Sequence, residues 1–279
     1  VADYQRVLKL AVMEDGLVPE ALAASWGCPA SAGKQMVLLR ADSPTSNIIR
    51  LVEGTAVPDY VPLRSYGWAS LELTVADVWA LQEAIVADGA FRVIGAPKRV
   101  EGFDAFIPMQ VTGRAGETLY LNMVLNSTSS LDLPKAHAWV DRIFIAVLAA
   151  QNRKAAVDFH VAQCGFEEDG TYDVPYSVIN NAFALPDSYK TALTMTKVGR
   201  MPVSEVDQYP SATIARPCAS GELPPGVAMM TFAVRDLDLC QAHWILPPVE
   251  RHGTLYQDKR CCTVRGASGE LIELIEARA

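Results

Sequence analysis

The sequence predicts an α+β fold made of four units, each a strand, a helix and three further strands, and three stretches carry that expectation. In the first, Ser70, Glu72 and Thr74 alternate with Leu71, Leu73 and Val75, the period of a strand with one polar and one apolar face. Asp77 then offers an N-cap, Val78, Leu81, Ile85 and Val86 form a helical stripe, and Gly89 ends it. Strand-like runs follow near Phe91 to Ile94, Phe106 to Val111 and Thr118 to Val124. In the second, Arg142 to Val147 reads as a strand and Asn152 to Gln163 as a helix stopped by Gly165. Strands are expected after it at Tyr176 to Leu185, Thr191 to Val198 and Val203 to Tyr209. In the third, Met229 to Val234 is the strand, Asp236 the cap, Leu237 to Ile245 the helix, and Thr254 to Glu276 the closing strands.

The segment before these is a shorter version of the same unit. Tyr4, Val7 and Leu8 mark the end of a helix, and Gln35 to Arg40 and Asn47 to Glu53 read as strands. A first strand is missing from this unit, and an edge left open by it would favour pairing with another chain. Proline-bearing connectors run from Val57 to Leu63 and from Pro210 to Pro225.

Composition narrows the function classes. The 279 residues are 50% hydrophobic and 20% charged, enough apolar content for a substantial core. A net charge of −8 and a pI near 5.1, with no cluster of Lys and Arg, argue against a nucleic-acid partner. No apolar run approaches the ~20 residues of a membrane span. The six cysteines show no CxxC spacing and read as thiols, so a cytoplasmic location is expected.

Glu273 stands out because it lies mid-strand in Leu271-Ile-Glu-Leu-Ile-Glu276. A carboxylate among leucines and isoleucines is costly to bury without a partner, so it is either at a sheet margin or held for chemistry.

Three segments resemble the vicinal oxygen chelate superfamily, which includes glyoxalase I, extradiol dioxygenases and the bleomycin-resistance proteins. They are Val140 to Val147 with Asp158 to Phe166, Phe232 to Leu237, and Gly269 to Glu276. The resemblance covers nearly the whole chain. It implies four modules paired into two glyoxalase-like domains, residues 1–130 and 131–279, whose curved mixed sheets form cups with helices outside. It also implies a cup metal held by a first-strand His or Gln and a fourth-strand Glu.

Here that ligand pattern is half kept. Glu205 and Glu273 stand at fourth-strand positions, whereas the first-strand positions hold Arg142 and Met229. A charged guanidinium cannot ligate a metal and a thioether is a poor ligand for hard divalent ions. In the N-terminal pair, Ser70 holds the first-strand position and Arg50 and Tyr120 the fourth-strand ones. No cofactor is therefore expected; a divalent metal would have to do without the histidine ligands. No HxH or HxxxH occurs, and of the four histidines His160 and His243 fall on expected helices.

The expected catalytic set is Glu273, Glu205 and Arg142 in one C-terminal cup. They form either an ion-pair network or a reaction centre in which one carboxylate carries a raised pKa. Ser70, Glu72, Tyr120, Asn122, Met229, His252 and Tyr256 are the expected substrate-binding residues, of which the module-two group reads more simply as a solvated sheet face. The reading is a glyoxalase-like lyase or isomerase acting on a small organic substrate, as a monomer or homodimer. One alternative is an iron-dependent extradiol dioxygenase, against which Arg142 and Met229 count; the other is a non-catalytic binding protein of the bleomycin-resistance type.

Overall fold

The computed structural model describes residues 1–99, 103–241 and 243–277. The first module comprises α1 (Ala2–Arg6), β1 (Ala11–Leu17), α2 (Glu20–Ser25), β2 (Gln35–Arg40) and β3 (Ile49–Val52). The second comprises β4 (Gly67–Val75), α3 (Val78–Asp88), β5 (Arg92–Gly95), β6 (Phe106–Thr112) and β7 (Thr118–Val124). The third runs through β8 (Val140–Ala150), α4 (Arg153–Cys164), β9 (Glu167–Val174), α5 (Ser177–Phe183), β10 (Thr191–Val198) and β11 (Met201–Gln208). The fourth holds β12 (Met229–Val234), β13 (Trp244–Arg251), β14 (Lys259–Arg265) and β15 (Leu271–Glu276).

The local signals around α3 act as their chemistry requires. The Asp77 carboxylate accepts hydrogen bonds from the backbone N–H groups of Trp79 and Ala80, and Gly89 closes the helix at φ +75°. Asn152 caps α4 in the same way and Gly165 ends it.

The fold is α+β with mixed sheets, none of them closed into a barrel. The second and third modules share an eight-stranded sheet in the order β5-β6-β7-β4-β8-β11-β10-β9. β4 and β8 run antiparallel at its centre, so this sheet continues across residue 130. The first module contributes a three-stranded sheet, β1-β2-β3, and the fourth a four-stranded one, β12-β15-β14-β13. On one face of the large sheet, Leu73 and Val75 pack on Val78, Leu81 and Ile85 of α3, and Ala146 and Leu148 on Ala156 and Val157 of α4. On the other, Tyr120, Val147, Ala149 and Met195 pack under Val178 and Ile179 of α5.

The structure departs from these expectations in several places. Tyr176 to Leu185 is not a strand: it contains α5, with Ile179 and Phe183 one helical turn apart on the core side. The Asn180 side chain fixes the helix exit by donating to the carbonyls of Pro186, Asp187 and Tyr189. The helix expected over 237–245 reduces to a single turn at Leu237–Leu239, capped by Asp236; Ala242 lies outside the described residues. Its later residues join β13, an edge strand whose Pro247 and Pro248 need no ladder donor there. β1 has no counterpart among the sequence expectations, because a nearly fully exposed edge strand carries no burial pattern to read. Trp79 is 46% exposed on α3.

Candidate functional site

A cavity of about 1400 Å³ is lined by β3 on one side and β12 and β15 on the other. In β15 the alternation of side chains sends Glu273 toward this cavity while Ile272 and Leu274 enter the core behind it. Glu273 is 2% exposed and its register partners are Thr231 on β12 and Thr263 on β14.

Its carboxylate is fully engaged. Oε1 accepts from the Tyr256 hydroxyl at 2.8 Å and the Trp26 indole N–H at 3.4 Å. Oε2 accepts from the Thr231 hydroxyl at 2.8 Å and the Arg50 guanidinium at 3.4 Å. Arg50 comes from β3 of the first module, donates also to the Tyr256 oxygen at 3.1 Å, and lies over the Trp26 ring at 4.6 Å. Burial opposes the charge on Arg50, but Glu273 and Tyr256 outweigh it and hold the guanidinium pKa above its ordinary value. Burial, reinforced by the Glu273 charge, lifts the Tyr256 phenol well above its usual range, so it stays a donor.

Arg142 lines the same cavity from β8. Its Nε has no hydrogen-bond partner, and no ion pair to it occurs among the described residues. Met229 lines the cavity too. His252 does not: it is exposed on the turn between β13 and β14, where Nδ1 lies 2.5 Å from Asp258, whose carboxylate raises its pKa.

Glu205 belongs to a second cup, inside the eight-stranded sheet. Through Val147 it shares a row with Ser70, while Glu72 pairs with Tyr120 on β7. The Tyr176 hydroxyl donates to Glu205 at 3.0 Å and the Asn122 amide to Glu72 at 2.7 Å. Burial pushes Glu205 up to about 7, against the hydrogen bonds from Tyr176 and Asp207 that favour its charge. Burial and the neighbouring Glu205 charge raise Glu72 and Asp207 well above the carboxylate range. Three buried carboxyl groups without a cation hold protons among themselves rather than ionise together. The Oγ of Ser70, the Oγ1 of Thr118 and the hydroxyl of Tyr209 are buried without partners. α5 covers this cup through Val178 and Ile179, with Tyr176 at its start.

The structure thus brings Glu273, Arg142 and Met229 to one cavity, with Tyr256 buried beside it and bonded to Glu273, and gathers Glu205, Ser70, Glu72, Tyr120 and Asn122 in another place. Glu205 and Glu273 are not in one cup, because the second module pairs with the third and the first faces the fourth. Arg50 shows the same sequence signal as Glu273, a charge inside an aliphatic strand, and is its direct partner. Asp207 and Tyr209 continue the alternation of Glu205. Trp26 and Tyr176 lie outside strands and carry no local signal. His160 is structural: fully buried, it stacks on Trp68, bonds Ser204 at 3.2 Å and lies 3.6 Å from Glu270.

A divalent metal, which the superfamily resemblance implies, does not fit the first cup. Glu273 already accepts from four donors and the nearest of its neighbours in charge is a guanidinium, which would repel a cation. Among the described residues, only Glu250, His252 and Asp258 bring three such ligand groups within 4.8 Å, and they form an exposed group on the β13–β14 hairpin, outside both cups.

No family model and no curated protein sequence matches the chain. Solved structures do. Glyoxalase I from Zea mays is 14% identical, aligns over 98% of this chain and 85% of its own, and gives a TM-score of 0.64. A proposed dioxygenase from Bacillus subtilis subsp. subtilis str. 168 is 9% identical over 99% of this chain and 80% of its own, with a TM-score of 0.60. With its modules and sheet order, the chain has a fold similar to that of glyoxalase I from Zea mays.

Proposed function

We propose that this protein is a glyoxalase-like lyase or isomerase acting on a small organic substrate that carries an anionic group beside an enolisable carbonyl. The observation that supports it most is Arg142, a guanidinium with no carboxylate partner among the described residues, which lines the same 1400 Å³ cavity as the buried Arg50–Glu273 pair. Arg142 binds the anionic group, as a guanidinium does in charge-assisted pairs. Glu273 takes and returns a proton next to the carbonyl, and Tyr256, whose hydroxyl donates to Oε1, positions that carboxylate.

The saturation of Glu273 by four hydrogen-bond donors favours a second reading, a binding protein in which the same cavity sequesters its ligand without turnover, since the lone pairs of the carboxylate are already engaged.

The experiment that separates them is solvent exchange. Small 2-keto and 2-hydroxy acids are incubated with the protein in D₂O and followed by NMR. The lyase or isomerase reading expects exchange of the proton beside the carbonyl for at least one of them, reduced about 100-fold or more in Glu273→Gln. Arg142→Gln should weaken its binding about 10- to 100-fold. Saturable binding without exchange would support sequestration, and no binding of any acid would sink both readings.

A further inference from the structure

The cup inside the eight-stranded sheet gathers three acids and no cation to match them. Glu72 on β4 and Glu205 and Asp207 on β11 are each no more than 9% exposed, and none has an ion-pair partner among the described residues. Arg216 lies near Tyr209, but its donors go to the Ser65 hydroxyl and to the carbonyls of Trp68, Pro225 and Val227. Strand pairing runs in one row from Ser70 through Val147 to Glu205, so Ser70 and Glu205 project from the same face. In this cup Ser70 Oγ, Thr118 Oγ1, Asn122 Oδ1 and the Tyr209 hydroxyl have no hydrogen-bond partner, although these residues are only 0%, 1%, 1% and 3% exposed. Buried polar atoms are nearly always satisfied, so four together around three acids mark a group that the cup is shaped to receive.

We propose that this cup binds a small organic ammonium cation, which donates N–H bonds to the unpartnered oxygens and neutralises the carboxylates of Glu72, Glu205 and Asp207. Each orphaned atom is an oxygen able to accept, and an ammonium group brings donors only. Its charge answers the buried carboxylates, which a water molecule cannot do. The rings of Tyr120 and Tyr176, with centroids 6.2 Å apart and planes tilted at 53°, add the electron-rich faces that favour an organic cation. A small divalent ion suits the spacing less well. Oxygens bound to one such ion at about 2.1 Å lie no more than about 4.2 Å apart, whereas these three acids do not bring their oxygens within 4.8 Å of one another.

α5 closes the cup. Tyr176 at its start donates to Glu205 at 3.0 Å, and Arg64 holds its far end, donating to the Ala182 carbonyl at 2.6 Å and lying 4.4 Å over the Phe183 ring. The cation therefore reaches the acids when α5 lifts, and Val178 and Ile179 exclude water once it returns. The titratable groups facing the site are Glu72 from β4, Tyr120 from β7, Glu205, Asp207 and Tyr209 from β11 and its end, and Tyr176 from α5. β8 and β10 present the apolar Val147, Ala149, Leu193 and Met195. In the empty cup the acids hold protons among themselves, with Glu205 at about 7. A cation thus enters as a proton leaves, and it binds more tightly as pH rises toward that value. The site is separate from Glu273, and the inference is read without any turnover.

The test is calorimetric titration of the intact protein with ethylammonium and 1,4-diaminobutane, against the neutral ethanol and 1,4-butanediol, between pH 5 and pH 8. The expected result is saturable binding of at least one amine and of neither alcohol. Its affinity should rise about tenfold per pH unit below about 7 and level off above it, with a heat that varies with the ionisation enthalpy of the buffer because a proton is released. Glu205→Gln should weaken binding about tenfold or more and remove most of the pH dependence. Ser70→Ala keeps every charge and should weaken it about threefold or more, which holds the test open if the first variant does not fold. No amine binding at any of these pH values would overturn the proposal, as would binding that a folded Glu205→Gln leaves intact or that the alcohols match. Displacement of the amine by Mn²⁺ or Zn²⁺, itself lost in Glu205→Gln, would make the cup a metal site and overturn it too.

Discussion

At the scale of single residues, two carboxylates in similar strand positions have been given opposite environments. Glu273 pairs with Arg50 and accepts four hydrogen bonds, whereas burial pushes Glu205 up to about 7. Removing one partner of a buried pair leaves the other uncompensated, so Arg50→Met is expected to destabilise the fold by about 3–5 kcal/mol. The double variant Arg50→Met with Glu273→Gln should recover part of that loss, a non-additivity read by urea unfolding of the full cycle. Glu205 gives a pH signature. Its folded pKa of about 7 stands above the ordinary glutamate value of 4.5, so between these pH values the folded state binds more protons than the unfolded one. Stability from this group is present below about 4.5 and lost as pH rises to about 7, an effect on the order of 3 kcal/mol. Raised values at Glu72 and Asp207 add to the same direction. Urea midpoints should fall from pH 5 to pH 8, and Glu205→Gln should flatten that fall.

At the scale of elements, α5 decides which cup is open. It replaces an expected strand and lays Val178 and Ile179 on the sheet over Tyr120 and Met195. Ile179 is fully buried, so Ile179→Ala is expected to cost about 2–5 kcal/mol, read by denaturant unfolding. The element most legible in the sequence was the second module. Its strand alternation, Asp77 cap and Gly89 stop are local signals, each satisfied within a few residues. α5 was not legible, because Val178 and Ile179 suit a strand as well as a helix and only packing against β8 and β10 chooses between them. The fourth-module helix failed for a related reason, since Trp244 to Arg251 gains a ladder partner in β14 that a helix would forgo.

At the scale of the whole molecule, the modules are nested, second with third and first with fourth, and a few side chains tie the two halves together. The Trp68 indole on β4 donates to the Leu271 carbonyl on β15 at 2.8 Å. Trp68→Phe keeps the ring packing and leaves that buried carbonyl unpaired, for an expected loss of about 1–3 kcal/mol in unfolding free energy. His160 and Glu270 bridge the same boundary from α4 to the turn before β15.

The sequence by itself determined the repeated unit, the α+β class and the charged positions inside aliphatic strands, because alternation, caps and stops are properties of neighbouring residues. It singled out Glu273, Glu205 and Arg142 as charges that folding must account for and expected them in one cup, whereas the structure sets Glu205 in another. Only the tertiary structure decided that Glu273 meets Arg50 and Tyr256 while Glu205 meets Tyr176 and Asp207. The pairing of modules is a long-range choice made by sheet edges and core surfaces, and no local pattern in the chain encodes which edge meets which.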